Sequence, residues 1–332
     1  MQTAFSSMLG KCASIFTLAL FTNMLAPMPA MAAFPEKPVR IVVPFASGGG
    51  TDLIARTMGI IMAQELGQPV IIDNKPGGGT IIGTDAVAKS PPDGYTMVMA
   101  TLAHVVNPSI QPKLPYVHEK AFAPVILVGR SPNVLVVRAE SPFKSVKEII
   151  TAAKAKPGSL SFASQGAGTS AHLAGELFKN LTKTDIIHIP YRGAGPAITD
   201  LLGGQVDIMF ATASAVGTFI EGSKLRALAV TTADRSPALL LAKVPTIVES
   251  GVTGYVADSW YGLYVPAGTT PAVIARLNAA AKKAAQSDAF KKRAESEGLI
   301  ISAGTPEEFD RYAKSEEARW RKVVKDANIT VD

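Results

Sequence analysis

From residue 39 to residue 66 the chain reads VRIVVPFASGGGTDLIARTMGIIMAQEL. An apolar run passes through three consecutive glycines straight into helical apolar spacing. A strand feeding a helix this directly belongs to an α/β fold, because parallel strands need a helical crossover between them. Glycine in the joint lets backbone approach a guest closely with no Cβ in the way. The helix that follows offers unpaired N–H groups and a partial positive charge, so the joint is an anion-binding loop by construction.

The pattern recurs. Further strands are expected at 70–73, 95–100, 122–128 and 134–137, the last two broken at Ser131-Pro132. Helices are expected over 52–66 and, after the loop 75–79, through Ala88. The order then restarts with a helix over 146–155, a strand over 160–163, a helix over 170–180 and a strand over 186–189. Pro196 sits well at the start of another helix. Strands at 206–210 and 225–230 complete a second sheet, 261–265 adds one more, and the tail from Pro271 is mostly helical. Two mainly parallel α/β sheets, one built from the outer parts of the chain and one from its middle, imply two lobes. The crossings are expected near 138–141 and 254–258, giving one lobe from 33–138 with 256–332 and another from 139–255. No repeat of 20–50 residues occurs, which argues against a solenoid.

Residues 1–32 read as an export signal: one charge at Lys11, an apolar stretch over 13–25, then Ala30-Met31-Ala32 as a small-x-small cleavage pattern. The apolar stretch is shorter than the ~20 residues of a membrane span. Cleavage near Ala32 would place the mature chain in the periplasm and remove Cys12, the only cysteine. A mature chain without cysteine has neither a disulfide nor a thiolate metal site. Losing Lys11 from 33 basic residues against 27 acidic ones takes the formal charge from +6 to +5. So mild and scattered an excess fits a small anionic ligand and does not fit nucleic acid.

Four turns share the strand–small residue–helix design: 46–52, 75–80, 164–170 and 191–196. In open parallel sheets such turns gather at the carboxyl ends of the strands, where ligands bind. The side chains there are mostly uncharged hydroxyls and amides: Ser47, Thr51, Ser164, Gln165, Thr169, Ser170 and Tyr191. Asp52 is read first as a first-turn residue favoured by the helix dipole, with direct ligand contact as the other role. Two roles are open to Arg192, pairing with a second carboxylate or standing as an exposed loop cation. Asp207 is read more readily as a brace than as a ligand contact.

Competing chemistries fit less well. Gly48 and Gly50 begin a G-x-G-x-x-G spacing with Asp73 in the acidic position, but Leu53 stands where the third glycine belongs. His104, His118, His172 and His188 form no H-x-x-x-H or H-E-x-x-H pattern, so no metal and no cofactor is expected. Ser170 and His172 in GTSAHLAG raise a secreted serine hydrolase or transferase as an alternative. That segment lacks the G-x-S-x-G elbow, and residues two apart on a helix face different directions.

At these residues the chain resembles the Bug family of periplasmic solute-binding proteins, receptors of tripartite tricarboxylate transporters. The matching segments include KPVRIVVPFASGGGTDLIAR, DNKPGGGTIIGTDAVAKSPPDGYT, AHVVNPSI, FASQGAGTSAHLAGELFK, HIPYRGAGPAITDLLGGQVDIMF and SWYGLYVPAGTTP. The resemblance implies a two-lobed periplasmic-binding-protein fold, type II-like, that closes on a small organic carboxylate. It implies a non-catalytic monomer that delivers its ligand to membrane permease subunits; an exported sensor is the other non-catalytic reading. By the same resemblance the first-strand loop, with Phe45, Ser47, Gly48, Gly49, Thr51 and Asp52, grips a carboxyl group. Ser164, Gly168, Thr169 and Ser170 answer from the second lobe, with Tyr191, Arg192, Gly193 and Asp207. His104 and Asn107 match a further segment facing the cleft, preceded by Ala103 where the family often has Ser or Thr. Lys75-Pro76-Gly77 matches a structural turn and is left out of the expected site.

Overall fold

A computed structural model describes residues 34–111, 113–296, 298–326 and 329. The export signal read over residues 1–32 lies outside the described residues. Residues 34–36 belong to a separate unit and form a bend; everything from Lys37 onward is one compact unit. No helix among the described residues is long and apolar enough to cross a membrane.

The chain opens β1 (Val39–Val43), α1 (Gly50–Leu66), β2 (Val70–Asn74), α2 (Ile81–Ala88), β3 (Thr96–Thr101), α3 (Leu102–Ile110) and a short α4 (His118–Ala121). The long β4 (Phe122–Arg138) follows, then α5 (Val146–Ala155), β5 (Ser161–Ser164), α6 (Ser170–Thr182), β6 (Ile187–Pro190) and α7 (Ala194–Leu202). Next come β7 (Ile208–Thr212), α8 (Ala213–Glu221), β8 (Leu225–Val230) and β9 (Asp258–Pro266). The tail is α9 (Pro271–Gln286), α10 (Asp288–Ser296), β10 (Ile300–Ile301) and α11 (Pro306–Asp326).

Local chemistry sets these boundaries. In α1 the buried Ile54, Ala55, Met58, Met62 and Leu66 follow helical spacing, and Gly67 at φ 72° closes the helix by donating its N–H to Ala63 O. At α11 Thr305 and Glu308 form a reciprocal capping box: the Glu308 N–H donates to Thr305 Oγ1 at 3.2 Å and the Thr305 N–H to Glu308 Oε2 at 2.8 Å. Pro271 begins α9, where its missing N–H costs nothing.

The strand order is β2-β1-β3-β9-β4-β7-β5-β6, with β8 and β10 also pairing β4. The outer ladders, β1 with β2 and β3 and β5 with β6 and β7, are parallel. The ladders made by β4 and β9 are antiparallel, so each sheet is mixed where the crossing strands run.

Residues 122–137 were expected as two strands broken at Ser131-Pro132, and they form one. Pro132, which has no N–H to give a ladder, stands where β4 changes partners: it pairs with Asp258 at the start of β9, and Asn133 pairs with Thr212 at the end of β7. The chain therefore changes sheets between Pro132 and Asn133. The crossing expected at 138–141 lies beyond that point, since Arg138 already pairs with Leu225 of β8. Asn133, fully buried, ties the handover together. Its Nδ2 donates to Ala257 O at 3.1 Å, its N–H donates to Thr231 Oγ1 at 2.9 Å, and its Oδ1 accepts from Ser170 Oγ at 3.2 Å.

Trp260, Phe309, Trp320, Phe162, Phe178 and Phe210 fill one continuous apolar core that runs under both sheets. A second cluster around Val136, Leu201, Met209 and Val216 packs α7 and α8 against β7 and β4. Each of these large side chains contributes on the order of 2–3 kcal/mol by leaving water. That burial holds the carboxyl ends of the parallel strands in fixed register, which is where the loops meet.

Candidate functional site

Four segments enclose a cavity of about 380 Å³: Pro44 and Phe45 after β1, Pro76–Thr80 and Ile82 after β2, Gln165–Ala167 and Thr169 after β5, and Pro190–Arg192 after β6. Each follows a parallel strand, so the topology brings all four to one place.

Asp52 shapes the first segment from below. It is buried in the first turn of α1, where its Oδ2 accepts from the Gly48 N–H and Arg56 Nε, both at 2.9 Å, and its Oδ1 accepts from Asn74 Nδ2 at 3.0 Å. Burial alone would raise this carboxyl; the hydrogen bonds from Arg56, Gly48 and Asn74 outweigh it and hold the group below the usual carboxylate range. Asn74 Nδ2 also donates to Phe45 O at 3.1 Å. Phe45 thereby reaches the cavity, whereas Ser47, Gly48, Gly49 and Thr51 do not line it. Ser47 and Gly48 are exposed on the turn and Thr51 is buried in α1. Gly49 precedes α1 and lies against Ala194, and Gly193, which precedes α7, lies against Ala46.

The second segment was expected among the four converging turns, but Lys75-Pro76-Gly77 was set aside as a structural turn and none of its residues was placed in the site; Pro76–Thr80 form a wall of the cavity. Gly77, Gly78 and Gly79 all take positive φ, at 122°, 57° and 59°, a run that only consecutive glycines adopt without strain. Asn107 supports this wall from behind, its Nδ2 donating to Gly79 O at 3.0 Å and to Thr80 Oγ1 at 3.2 Å. The triple glycine was the sequence signal for this turn, and the resemblance of its first residues to a structural turn kept them out of the residue-level site.

The third segment is held by two histidines. His172 Nδ1 accepts the Gly168 N–H at 3.1 Å, and Ser164 Oγ lies 2.7 Å from His188 Nε2. The two imidazoles stack at 4.2 Å. Burial, then the charge of Lys179, lowers His172 to about 4; burial, then His172 and Lys179, lowers His188 to about 3. Thr169 caps α6, accepting the His172 N–H at 3.4 Å and donating to Gly166 O at 2.7 Å. Ser170 and His172 are not arranged as nucleophile and base: the Ser170 hydroxyl donates to Asn133 Oδ1, and His172 Nδ1 is occupied by Gly168.

In the fourth segment Tyr191 donates its hydroxyl to Asp200 Oδ2 at 2.7 Å, and burial with that carboxylate pushes the phenol up to about 12. Arg192 is exposed on the cavity wall and has no carboxylate partner among the described residues.

Two expected residues stand elsewhere. His104 is buried among His118, Phe122 and Tyr264, stacked on Tyr264 at 4.5 Å; burial first, then His118, lowers its pKa well below the ordinary value. It therefore belongs to an aromatic cluster behind the wall and not to the cavity. Asp207 accepts from the Ser161 N–H at 2.8 Å and from Ser161 Oγ at 3.1 Å. That is the amino end of β5, and the cavity lies beyond its carboxyl end.

Two mixed sheets sharing a long strand, with strand–helix turns converging on a cleft, are the architecture of a periplasmic solute-binding protein. Solved structures agree. Periplasmic binding protein BugD superposes with a TM-score of 0.85 at 32% identity, covering 90% of this chain and 99% of that one. Rpa4515 of Rhodopseudomonas palustris, solved with adipate, gives 0.86 at 36% identity over 90% and 99%. MatC (Rpa3494) of the same organism, solved with bound malate, gives 0.83 at 32% identity over 88% and 100%. A UPF0065 protein of the tcbD-tcbE intergenic region of Pseudomonas sp. (strain P51) is 41% identical over 293 residues, 88% of this chain and 87% of that one. The TctC profile, tripartite tricarboxylate transporter family receptor, matches residues 54–329. The chain belongs to this receptor family.

Proposed function

We propose that the protein is a periplasmic receptor that captures a small organic carboxylate in the cavity between the four turns and passes it to the permease subunits of a tripartite transporter. The observation that carries this reading is Arg192: a cation without a carboxylate partner among the described residues faces a cavity whose lining contains no acidic side chain. The carboxylates held by the two Rhodopseudomonas relatives, adipate and malate, support the same chemistry.

The cavity has Phe45 and Pro76–Thr80 on one side and Gln165–Ala167 and Thr169 with Tyr191 and Arg192 on the other. These sides belong to the two lobes read from the sequence, and we assign capture to their closure about the handover at Pro132–Asn133 and Asp258. Ligand contacts made only in the closed form shift the population toward it. The receptor acts by binding and release without chemical change. Export with cleavage near Ala32 completes the reading.

Residues 33–332, titrated with organic acids by calorimetry and followed by small-angle scattering, test it. The expected result is saturable binding of an acid recovered unchanged, with a smaller radius of gyration. Binding of no acid, or turnover of the bound one, overturns the reading.

A further inference from the structure

The cavity is chemically lopsided. Pro44, Phe45, Pro76, Ile82, Pro190 and the ring of Tyr191 give it apolar walls. Ile82 in particular is 57% exposed, a large branched side chain facing the cavity with its surface still in water. Of the three hydroxyls beside these walls, those of Thr169 and Tyr191 are already given within the protein, while Thr80 accepts a bond and keeps its own hydrogen. Thr80 Oγ1 accepts from Asn107, Thr169 Oγ1 both donates to Gly166 O and accepts from His172, and the Tyr191 hydroxyl donates to Asp200. Gln165 is partly engaged, its Nε2 donating to Thr212 Oγ1 at 3.3 Å. Arg192 alone brings charge, with up to five N–H donors in a planar fork suited to one carboxylate.

This lining discriminates among carboxylates. An amino acid brings an ammonium group, and no Asp or Glu lines the cavity to receive it. Citrate brings three carboxylates to one guanidinium. Malate brings a hydroxyl and a second carboxylate to walls on which Thr80 holds the one side-chain hydroxyl hydrogen not given within the protein, and a polar group desolvated without a partner weakens binding. A methylene chain or an aromatic ring, by contrast, gains by covering Ile82, Phe45 and the prolines.

Building on the reading of the protein as a carboxylate receptor, we propose that its ligand is an acid with an apolar body, aromatic or medium-chain aliphatic, whose carboxylate pairs with Arg192 and whose body lies against Phe45 and Ile82. Hydroxy acids, citrate-like acids and amino acids bind more weakly to the same lining.

Calorimetric titration of residues 33–332 with butanoate, pentanoate, hexanoate and benzoate, and with malate, citrate and aspartate in the same buffer, tests this. Affinity is expected to rise about three- to fourfold with each methylene added. Hexanoate and benzoate are expected to bind at least about tenfold tighter than malate, citrate or aspartate. Ile82→Ser, at a side chain the core does not need, flattens the chain-length series, and Arg192→Gln weakens every acid while leaving its slope. A flat series, or malate, citrate or aspartate binding tighter than hexanoate and benzoate, overturns the apolar-body assignment and leaves the receptor reading standing. Silence from all seven acids overturns the receptor reading, and this assignment with it.

Discussion

A Cβ added to Gly79 would lie 2.5 Å from the carbonyl oxygen of Ala167, so the two cavity walls meet backbone to backbone. The same closeness recurs below them, where a Cβ on Gly50 would overlap the Ser214 side chain and lie 3.2 Å from Ala215 N. The amino ends of α1 and α8 are thus packed together with only a glycine between them. Ser214 Oγ completes the contact with Tyr261 Oη at 2.8 Å.

Gly50→Ala is the cleaner probe of this contact, because Gly50 keeps an ordinary backbone φ and the added methyl acts through space alone. The variant should keep its melting temperature to within a few degrees, since alanine suits a helix start and restricts the unfolded chain. Its ligand affinity should fall about tenfold or more, and its radius of gyration should stay at the larger value when acid is added. Ser214→Gly in the same chain should restore part of both. Unchanged compaction in Gly50→Ala, measured by small-angle scattering, would sever the contact from closure.

Asp52→Ala should destabilise the fold by about 1–2 kcal/mol, because it removes the acceptor of the Gly48 N–H and of Arg56 Nε and one of the two acceptors of Asn74 Nδ2. The Asp52 carboxyl is held below its ordinary range in the folded state, so its contribution is present above the unfolded carboxyl pKa, about 3.9, and is lost as pH falls through the folded value. Urea titrations at pH 7 and pH 3 check both points: the cost of the substitution should shrink at the lower pH. An equal cost at both would contradict the electrostatic part.

The stacked histidines give a second pH dependence. Both are neutral when folded, lowered to about 4 for His172 and about 3 for His188. The unfolded chain takes up these protons near pH 6.5, so stability is intact above that pH and falls progressively as pH drops toward the folded values. His188→Gln should reduce the slope of stability against pH between about 6 and 4. Protonating His172 at Nδ1 also removes the acceptor for the Gly168 N–H, so ligand affinity should hold through the stability loss and fall only as pH approaches about 4. A slope identical to the parent protein would contradict this account.

Much of the fold was legible because its signals are local. The helix at 146–155 and the strand at 225–230 appear with the expected bounds. Misreadings came where tertiary partners overrode a local rule. Pro132 reads as a strand breaker, but it falls at the one place where β4 exchanges β9 for β7. Leu102–Ile110 carries Pro108 inside its helix, which hides α3 from a pattern search. The cavity was legible in part: Phe45, Thr169, Tyr191 and Arg192 reach it, and all follow strands whose parallel order the sequence implies. His104 and Asp207 were not placeable, because helix spacing and strand length say nothing of which end or face a pocket occupies. The wall at Pro76–Thr80 depends on Asn107, some thirty residues later in the chain, and no local pattern links the two.

The central claim is that Arg192 receives a carboxylate in this cavity. Calorimetric titration of residues 33–332 with carboxylic acids, each paired with its own primary amide, tests it most directly, because only the charge differs. The account predicts that at least one acid binds about ten- to a hundredfold tighter than its amide, the range of a charge-assisted hydrogen bond, and that Arg192→Gln abolishes the difference. Equal affinity for acid and amide, or a preference that survives Arg192→Gln, would contradict it.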